Sequence, residues 1–487
     1  MTLQAGRNYR EEASKGLDND CLQKSLKKLQ NNFGKGAMEY WASMTDSGLR
    51  DRAKNTRMET LANLDVVLST LAENVEKAGG HVYFAKTAED AVNYCLRVAA
   101  KNDVETVVKS KSMTSAEIGL DAALKGSDIE VLETDLGEYI IQLAEDQASH
   151  TIAPCIHLNR SQIGRLFEEK LAVALHRRYP PNLPDCQKST LRHKMLDADM
   201  GITGCNIACA ETGRISLVSN EGNIRMVTTM PRVHVALMGL ERVAATMEDH
   251  QGLLQLLTQG AALQKLSTYV SFAGGKRLAG DPDGPEEFHL VVIDNGRSKI
   301  LGDNAFREVL ACIRCGACLN ICPVYGRIGG HAYLSPYSGP VGAVVSPLLF
   351  GINQYADLCK GESLCGACLD ICPVKIDLPR MLLELRYKLA YGDRKWQTRK
   401  HDRGEALVFK LWRISIAAGP LYRLALRCGY WMQRPLFGRK SLLSILPGPA
   451  KRWCADRDMP SLAGEPFSRR WKKRHGKGRT QHGVKDG

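Results

Sequence analysis

No run in this 487-residue chain approaches the roughly 20 apolar residues that a bilayer-crossing helix needs. The longest stretch of that kind, 414–426, is interrupted by Gly419, Pro420 and Arg423. The opening segment, MTLQAGRNYREEASKG, lacks the apolar core of a secretory signal. A cytoplasmic location is therefore expected, with thiols kept reduced as in that compartment. No predicted strand runs into GxGxxG, which argues against a Rossmann-type nicotinamide or flavin site. The P-loop and the HExxH zinc motif are missing too. Aromatic residues are sparse, yet five of the six tryptophans (Trp396, Trp412, Trp431, Trp453 and Trp471) fall in the last fifth of the chain.

Cysteine is what the chain has in quantity. Eight of its 16 cysteines lie between 312 and 372, and seven of these repeat one pattern. Cys312-x2-Cys315-x2-Cys318-x3-Cys322-Pro323 has the spacing of bacterial two-cluster ferredoxins. Cys365-x2-Cys368-x3-Cys372-Pro373 follows at an offset of 50 residues, and CGACLNICPV and CGACLDICPV differ at one position. Three thiolates spaced in this way wrap one iron–sulfur cube, while the fourth, before proline, reaches the other cube. Gly316 and Gly366 let the backbone pass close to the inorganic core. Structural zinc prefers paired Cys-x2-Cys knuckles, and a disulfide framework suits a small secreted domain. Two [4Fe–4S] clusters are the expectation.

The repeat is imperfect. Cys312, Cys315, Cys318 and Cys372 complete one ligand set under cross-ligation, whereas Cys322, Cys365 and Cys368 are one short. The vacant position is Glu362. Cys359, three residues earlier, is the candidate fourth ligand; Glu362, another residue or water are the alternatives.

Charge is unevenly spread. Residues 394–487 hold 23 Lys and Arg against 6 Asp and Glu, in a chain whose net charge is +13, so the rest is slightly acidic. Basic residues mixed with tryptophan suit docking to a partner protein or to the inner face of a membrane. A small tail domain packing its aromatics inward is the alternative, and nucleic acid is the least favoured partner. The end, SRRWKKRHGKGRTQHGVKDG, reads as disordered.

A chain this long exceeds one core. Residues 1–75 read as a helical region, with LQKSLKKLQNNF and LANLDVVLSTLAENVEKA carrying apolar residues at helical spacing and Gly79-Gly80 ending the second helix. Strand and helix signals then alternate: HVYFA, AEDAVNYCLRVAAK, ETVVKSK, SAEIGLDAALKG, DIEVLE and a further helix. This predicts a parallel α/β sheet covered by helices over 76–300. After a loop near Tyr179–Pro184, RISLVSNEGNIRMVTTM reads as a hairpin around Asn220–Asn223, RVHVALMG and FHLVVIDNG read as buried strands, and 278–287 as a surface loop. The cluster domain is expected over 301–390, with a Gly/Pro/Ser-rich ordered loop, 326–348, between the repeats. His331 in that loop reads as structural or as a tuner of a cluster. The basic region spans 391–487.

At this point the residues match a known family. The segments VVKSKSM, ETDLGEYIIQLA, GITGCNIACAETG, SNEGNIRMVTTMPRVHVALMGLE, CIRCGACLNICPVY and SLCGACLDICPVKID resemble the lactate utilization protein B family, the iron–sulfur subunit of a bacterial L-lactate oxidation system. The likeness covers roughly residues 45–390, and more loosely the basic tail. It implies a three-layer sheet domain of the ribose-5-phosphate isomerase and glucosamine-phosphate deaminase type, followed by an α-helical two-cluster ferredoxin-like domain. It implies partnership with a short iron–sulfur subunit and a third protein carrying the same sheet domain, the complex passing electrons from L-lactate as it becomes pyruvate. The family's cluster ligands map onto Cys312, Cys315, Cys318, Cys322, Cys365, Cys368 and Cys372. Cys359 falls outside the family's pattern.

Lys109, Lys111 and Ser112 follow a predicted strand, where α/β sheets place ligand loops. Lys111 is a candidate to hold a substrate carboxylate, with Lys109 beside it and Glu211 or Glu221 as base; solvated lysines and turn-capping acids are the ordinary alternative. Asp135 and Glu138 divide similarly between capping and ligand contact. Oxidising lactate removes two electrons at once, and no hydride-accepting group is legible here, so that step is expected elsewhere in a complex. The competing readings are a self-sufficient enzyme acting on another small carboxylate or a sugar phosphate, and an iron–sulfur nucleic-acid binder.

Overall fold

The computed structural model describes residues 7–171, 191–399, 403–437, 442–443 and 458–475. The chain divides into two compact units, Met1–Arg399 and Lys400–Gly487. In the first unit ten strands are described: β1 (His81–Ala85), β2 (Thr106–Lys109), β3 (Glu130–Glu133), β4 (Met200–Thr203), β5 (Ile207–Cys209), β6 (Arg214–Ser219), β7 (Val233–Gly239), β8 (Val243–Ala244), β9 (Tyr269–Ala273) and β10 (Glu287–Ile293). Six of them make an all-parallel sheet in the order β1-β10-β7-β4-β2-β3. The central strands β4 and β7 are buried along their whole length, as aliphatic runs covered on both faces must be. Alternation sorts their side chains. Val233, Val235 and Leu237 enter one core with Cys95, Val98 and Leu124, while Ala236 and Met238 enter another with Leu71, Val75 and Leu256. A smaller mixed sheet, β8-β5-β6-β9, packs into the second core.

The helix Ala88–Lys101 matches its predicted span because Thr87 and Asp90 form a capping box at its start. Other expectations need correction. SAEIGLDAALKG forms two short helices, Met113–Ile118 and Leu120–Lys125, broken where Gly119 turns left-handed. The hairpin over 214–230 is not formed: β6 pairs with β5 and β9, and Asn223–Thr229 is a helix. The segment between the cysteine repeats is half helical, since Gly339–Phe350 forms a buried helix. The loop expected near Tyr179–Pro184 lies outside the described residues.

The N-terminal helices pack against the cysteine repeats. Trp41 Nε1 donates to the Ile371 carbonyl at 3.0 Å, Gln30 Nε2 to that of Cys322 at 2.8 Å, and Arg50 Nη2 to that of Cys372 at 2.6 Å. The buried Arg57 donates to the carbonyls of Glu241, Val243, Leu310 and Ala311. Trp396 also belongs to this unit, edge-on to Phe306 and donating to Asp303 at 2.8 Å.

In the second unit, helices Arg403–Ala417 and Gly419–Phe437 carry the exposed Trp412 and Trp431, and Trp471 is exposed on Phe467–His475. That last helix lies in the stretch expected to be disordered; residues 476–487 and Trp453 are outside the described residues. No described helix is long and apolar enough to cross a membrane.

Candidate metal centres and the adjoining cavity

Two five-residue helices, Ala317–Ile321 and Ala367–Ile371, position the cysteines. Each follows a left-handed glycine, Gly316 at φ 78° and Gly366 at φ 87°. Two residues before each glycine stands another left-handed residue, Arg314 at φ 61° and Leu364 at φ 57°. The motif therefore repeats in backbone conformation as well as in sequence.

The thiols sort into two cavities. Cys312, Cys315, Cys318 and Cys372 line one; Cys322, Cys365, Cys368 and Glu362 line the other. Each repeat thus sends its last cysteine to the cavity of its partner repeat. Burial, then the charge of neighbouring thiols, pushes Cys315 and Cys318 far up. Burial likewise raises Cys372 to about 11, with Cys312 adding to the effect. Thiols confined in this way gain from a soft cation that binds them as thiolates. The donor set fits iron–sulfur clusters, and the described cysteines are free of disulfides.

Cys359 lines neither cavity. It is fully buried on the helix Ala356–Gly361, and its Sγ points back to the Tyr355 carbonyl at 3.6 Å. His331 likewise lines neither thiol cavity: its Nε2 lies 2.7 Å from the Gln147 carbonyl and its ring packs edge-on against His157.

Just beyond the carboxyl ends of β2, β3, β4 and β7, where open parallel sheets gather ligands, lies a cavity of about 330 Å³. Lys111, Asn220, Glu221, Arg242, Arg314 and Cys315 are among the residues around it. Lys111 Nζ lies 3.3 Å from Glu138 in an ion pair but makes no hydrogen bond. Arg314 packs 4.3 Å over the Tyr337 ring and reaches Glu241 at 3.4 Å, leaving its Nη1 unpartnered. Burial, and then Asp135, pushes the Glu221 carboxyl up. Arg314 and Cys315 line both this cavity and the first thiol cavity.

Of the four sheet-domain candidates, the structure brings Lys111 and Glu221 to this cavity. Lys109 is locked instead between Glu133 at 2.6 Å and Asp121 at 2.8 Å. Burial disfavours its charge, but those two carboxylates outweigh that and raise its pKa. Glu211 is elsewhere, accepting the Met247 N–H at 2.7 Å at the start of a helix. Asp135 takes the capping part, at the start of Leu136–Leu143, and it also lines the cavity. Sequence reasoning missed Arg242, Arg314 and Tyr337. Only Arg314 carried a signal, its place inside the first motif.

Residues 68–293 match the model of the LUD domain, 308–376 that of a 4Fe-4S dicluster domain, and 392–476 that of the lactate utilisation protein B C-terminal region. The chain is 42% identical to lactate utilization protein B of Bacillus licheniformis, over 95% of this chain and 96% of that one. The chain belongs to the lactate utilization protein B family. The Geobacillus sp. member is 43% identical over 97% of this chain and 98% of its own, and the Bacillus cereus member 46% over 88% and 89%. Membership in the lactate utilization protein B family, together with the dicluster match, makes this an iron–sulfur protein of lactate utilization and electron transport.

Proposed function

We propose that the chain is the iron–sulfur electron-transfer subunit of a complex oxidising L-lactate to pyruvate, with a [4Fe–4S] cluster in each thiol cavity. The observation that carries this reading is the shared wall: Arg314 and Cys315 line both the sheet-edge cavity and the first thiol cavity. When bound, such clusters take up and release single electrons. The seven motif cysteines hold them, and the N-terminal helices fix the loops on which those cysteines sit. A second iron–sulfur protein and a related α/β protein are the partners, and the hydride-accepting step takes place outside this chain. The exposed Trp412, Trp431 and Trp471, set among basic residues, support docking of the C-terminal unit on a partner or at the inner face of the membrane. The parallel sheet bearing a smaller mixed sheet supports kinship with the isomerase and deaminase folds. Anaerobically purified protein should hold about eight irons, and L-lactate should bleach its clusters only with partner subunits present. One zinc and no iron would end this reading.

A second reading, in which this chain itself binds the small carboxylate, draws on the cavity lining. Lys111 and Arg314 supply positive charge for a carboxylate, and Glu221 offers an oxygen to take the hydroxyl proton. Lys111→Met removes one charged contact, a loss of about 1.5–3 kcal/mol. L-lactate binding should then weaken roughly tenfold to a hundredfold by calorimetry. An unchanged affinity would place the substrate elsewhere. Bleaching by lactate in the isolated chain would favour this reading over the first.

A further inference from the structure

We propose that Glu362 is the fourth protein ligand of the second cluster, through one carboxylate oxygen, and that Cys359 is a packing residue. The inference rests on the two-cluster reading above and names the donor that the sequence repeat leaves open.

Register comes first. Glu362 stands 50 residues after Cys312, and the backbone dihedrals at the two positions are close, φ −79° and ψ 146° against φ −60° and ψ 124°. Each is followed two residues later by a left-handed residue, Leu364 or Arg314, and then by two cysteines on matched turns. The chain therefore presents the Glu362 side chain from the station where the first repeat presents a thiol.

Orientation agrees with register. Glu362 lines the second cavity with Cys322, Cys365 and Cys368, and no further cysteine among the described residues lines it. Its Oε2 lies 3.3 Å from the Cys322 Sγ, while Oε1 accepts the Tyr333 hydroxyl at 2.7 Å. One oxygen is thus held back by a buried tyrosine and the other is aimed among the thiols, a one-oxygen donor geometry. A carboxylate oxygen is two bonds farther from its Cα than a thiol sulfur. The backbone must be anchored for that longer arm to point one way. Arg386 Nη2 donates to the Glu362 carbonyl at 2.7 Å. Gly361 just before it lets Tyr9 press against the main chain where a Cβ would collide with the phenol oxygen.

The energetics point the same way. Glu362 is 7% exposed, and the hydrogen bonds to its carboxylate come from two neutral groups. A buried carboxylate is costly, and coordination to a metal ion is one way to offset the cost. Cys359 has no comparable placement. Its Sγ faces the Tyr355 carbonyl, it lines neither thiol cavity, and its own carbonyl accepts Arg386 Nε at 2.7 Å, which fixes the backbone there.

An oxygen is a harder donor than thiolate and holds iron less firmly in a cluster built on sulfur. The second cluster should accordingly have one iron that leaves first. The test uses the full-length chain, reconstituted anaerobically with iron and sulfide, then exposed to a mild oxidant, with iron content and electron paramagnetic resonance as readouts. Cys359→Ser should keep about eight irons and the unaltered spectrum. Glu362→Ala should lose about one iron per chain and show a three-iron signal, with the first cluster's signal intact as the internal control of folding. Glu362→Cys should restore four thiolates and slow oxidant-driven iron loss about tenfold relative to the natural chain, a shift of about 1.4 kcal/mol in the barrier. The proposal is overturned if Cys359→Ser loses a cluster. It is overturned equally if both Glu362 variants match the natural chain in iron content, spectrum and oxidation rate. A natural chain holding about four irons would instead overturn the two-cluster reading.

Discussion

Arg57→Ala should be among the most damaging single substitutions away from the cysteines, costing about 3–5 kcal/mol. The guanidinium is 2% exposed and its acceptors are main-chain carbonyls from two distant stretches. Glu241 lies in the turn after β7 and Val243 opens β8, while Leu310 and Ala311 lie directly before the first motif cysteine. One side chain on the helix Leu49–Ala62 therefore pins the sheet's carboxyl edge to the first cluster loop. Burial, and then the nearby Arg242, pulls its pKa down to about 10, so it keeps its charge at neutral pH. Truncation leaves four buried acceptors unpaired and a cavity behind them. Arg57→Lys keeps the charge but offers a single nitrogen, which cannot span both stretches. The loss should appear as a lowered midpoint of the first denaturant transition, since a chain of two units need not unfold in one step. A shift worth less than about 1 kcal/mol would show that other contacts hold the junction. Lys should fall between Arg and Ala.

The same residue illustrates what a sequence conveals and what it discloses. Nothing in the run LRDRAKNTRMETLA separates Arg57 from Arg50 or Arg52, because its partners are backbone atoms more than 180 residues away. The strand His81–Ala85 and the helix Ala88–Lys101 were legible because their periodicity and their caps are local. The helix Asn223–Thr229 was not, because NIRMVTT is rich in β-branched residues and follows a turn signal. Tertiary packing decides it: Gly201 in β4 has no side chain, and the Val227 carbonyl presses against it. The candidate metal centres divide in the same way. Seven cysteines and the irregular position 362 stand out from spacing alone. The sheet-edge cavity does not, because Lys111, Glu221 and Arg314 meet only once β2, β6 and the first cysteine loop are folded together.

The ligand partition itself can be tested, with large and opposite effects for neighbouring residues. Cys322 belongs to the first motif by sequence, yet its Sγ lines the cavity of the second, and Cys372 is exchanged in return. Cys372→Ala should therefore leave three thiolates and a three-iron cluster in the first site, with a spectrum that coincides with that of Cys312→Ala. Cys322→Ala, which leaves two thiolates and Glu362, should empty the second site and match Cys365→Ala. Iron should fall from about eight to about seven per chain in the first pair and to about four in the second. Folding damage alone does not imitate this result, because it lowers both signals together, whereas the partition demands that each pair alter one signal and spare the other. A Cys372→Ala spectrum matching Cys365→Ala would mean that each motif closes on its own cluster. The last cysteine of each motif would then have to turn away from the cavity it now faces. The prolines after both, Pro323 and Pro373, oppose that rotation by fixing the backbone at the exit of each short helix. The crossed pattern also ties the two centres mechanically. Each short helix, Ala317–Ile321 and Ala367–Ile371, is bounded at its start by a thiol of one cavity and at its end by a thiol of the other, so the two cavities are tied through the same rigid turns.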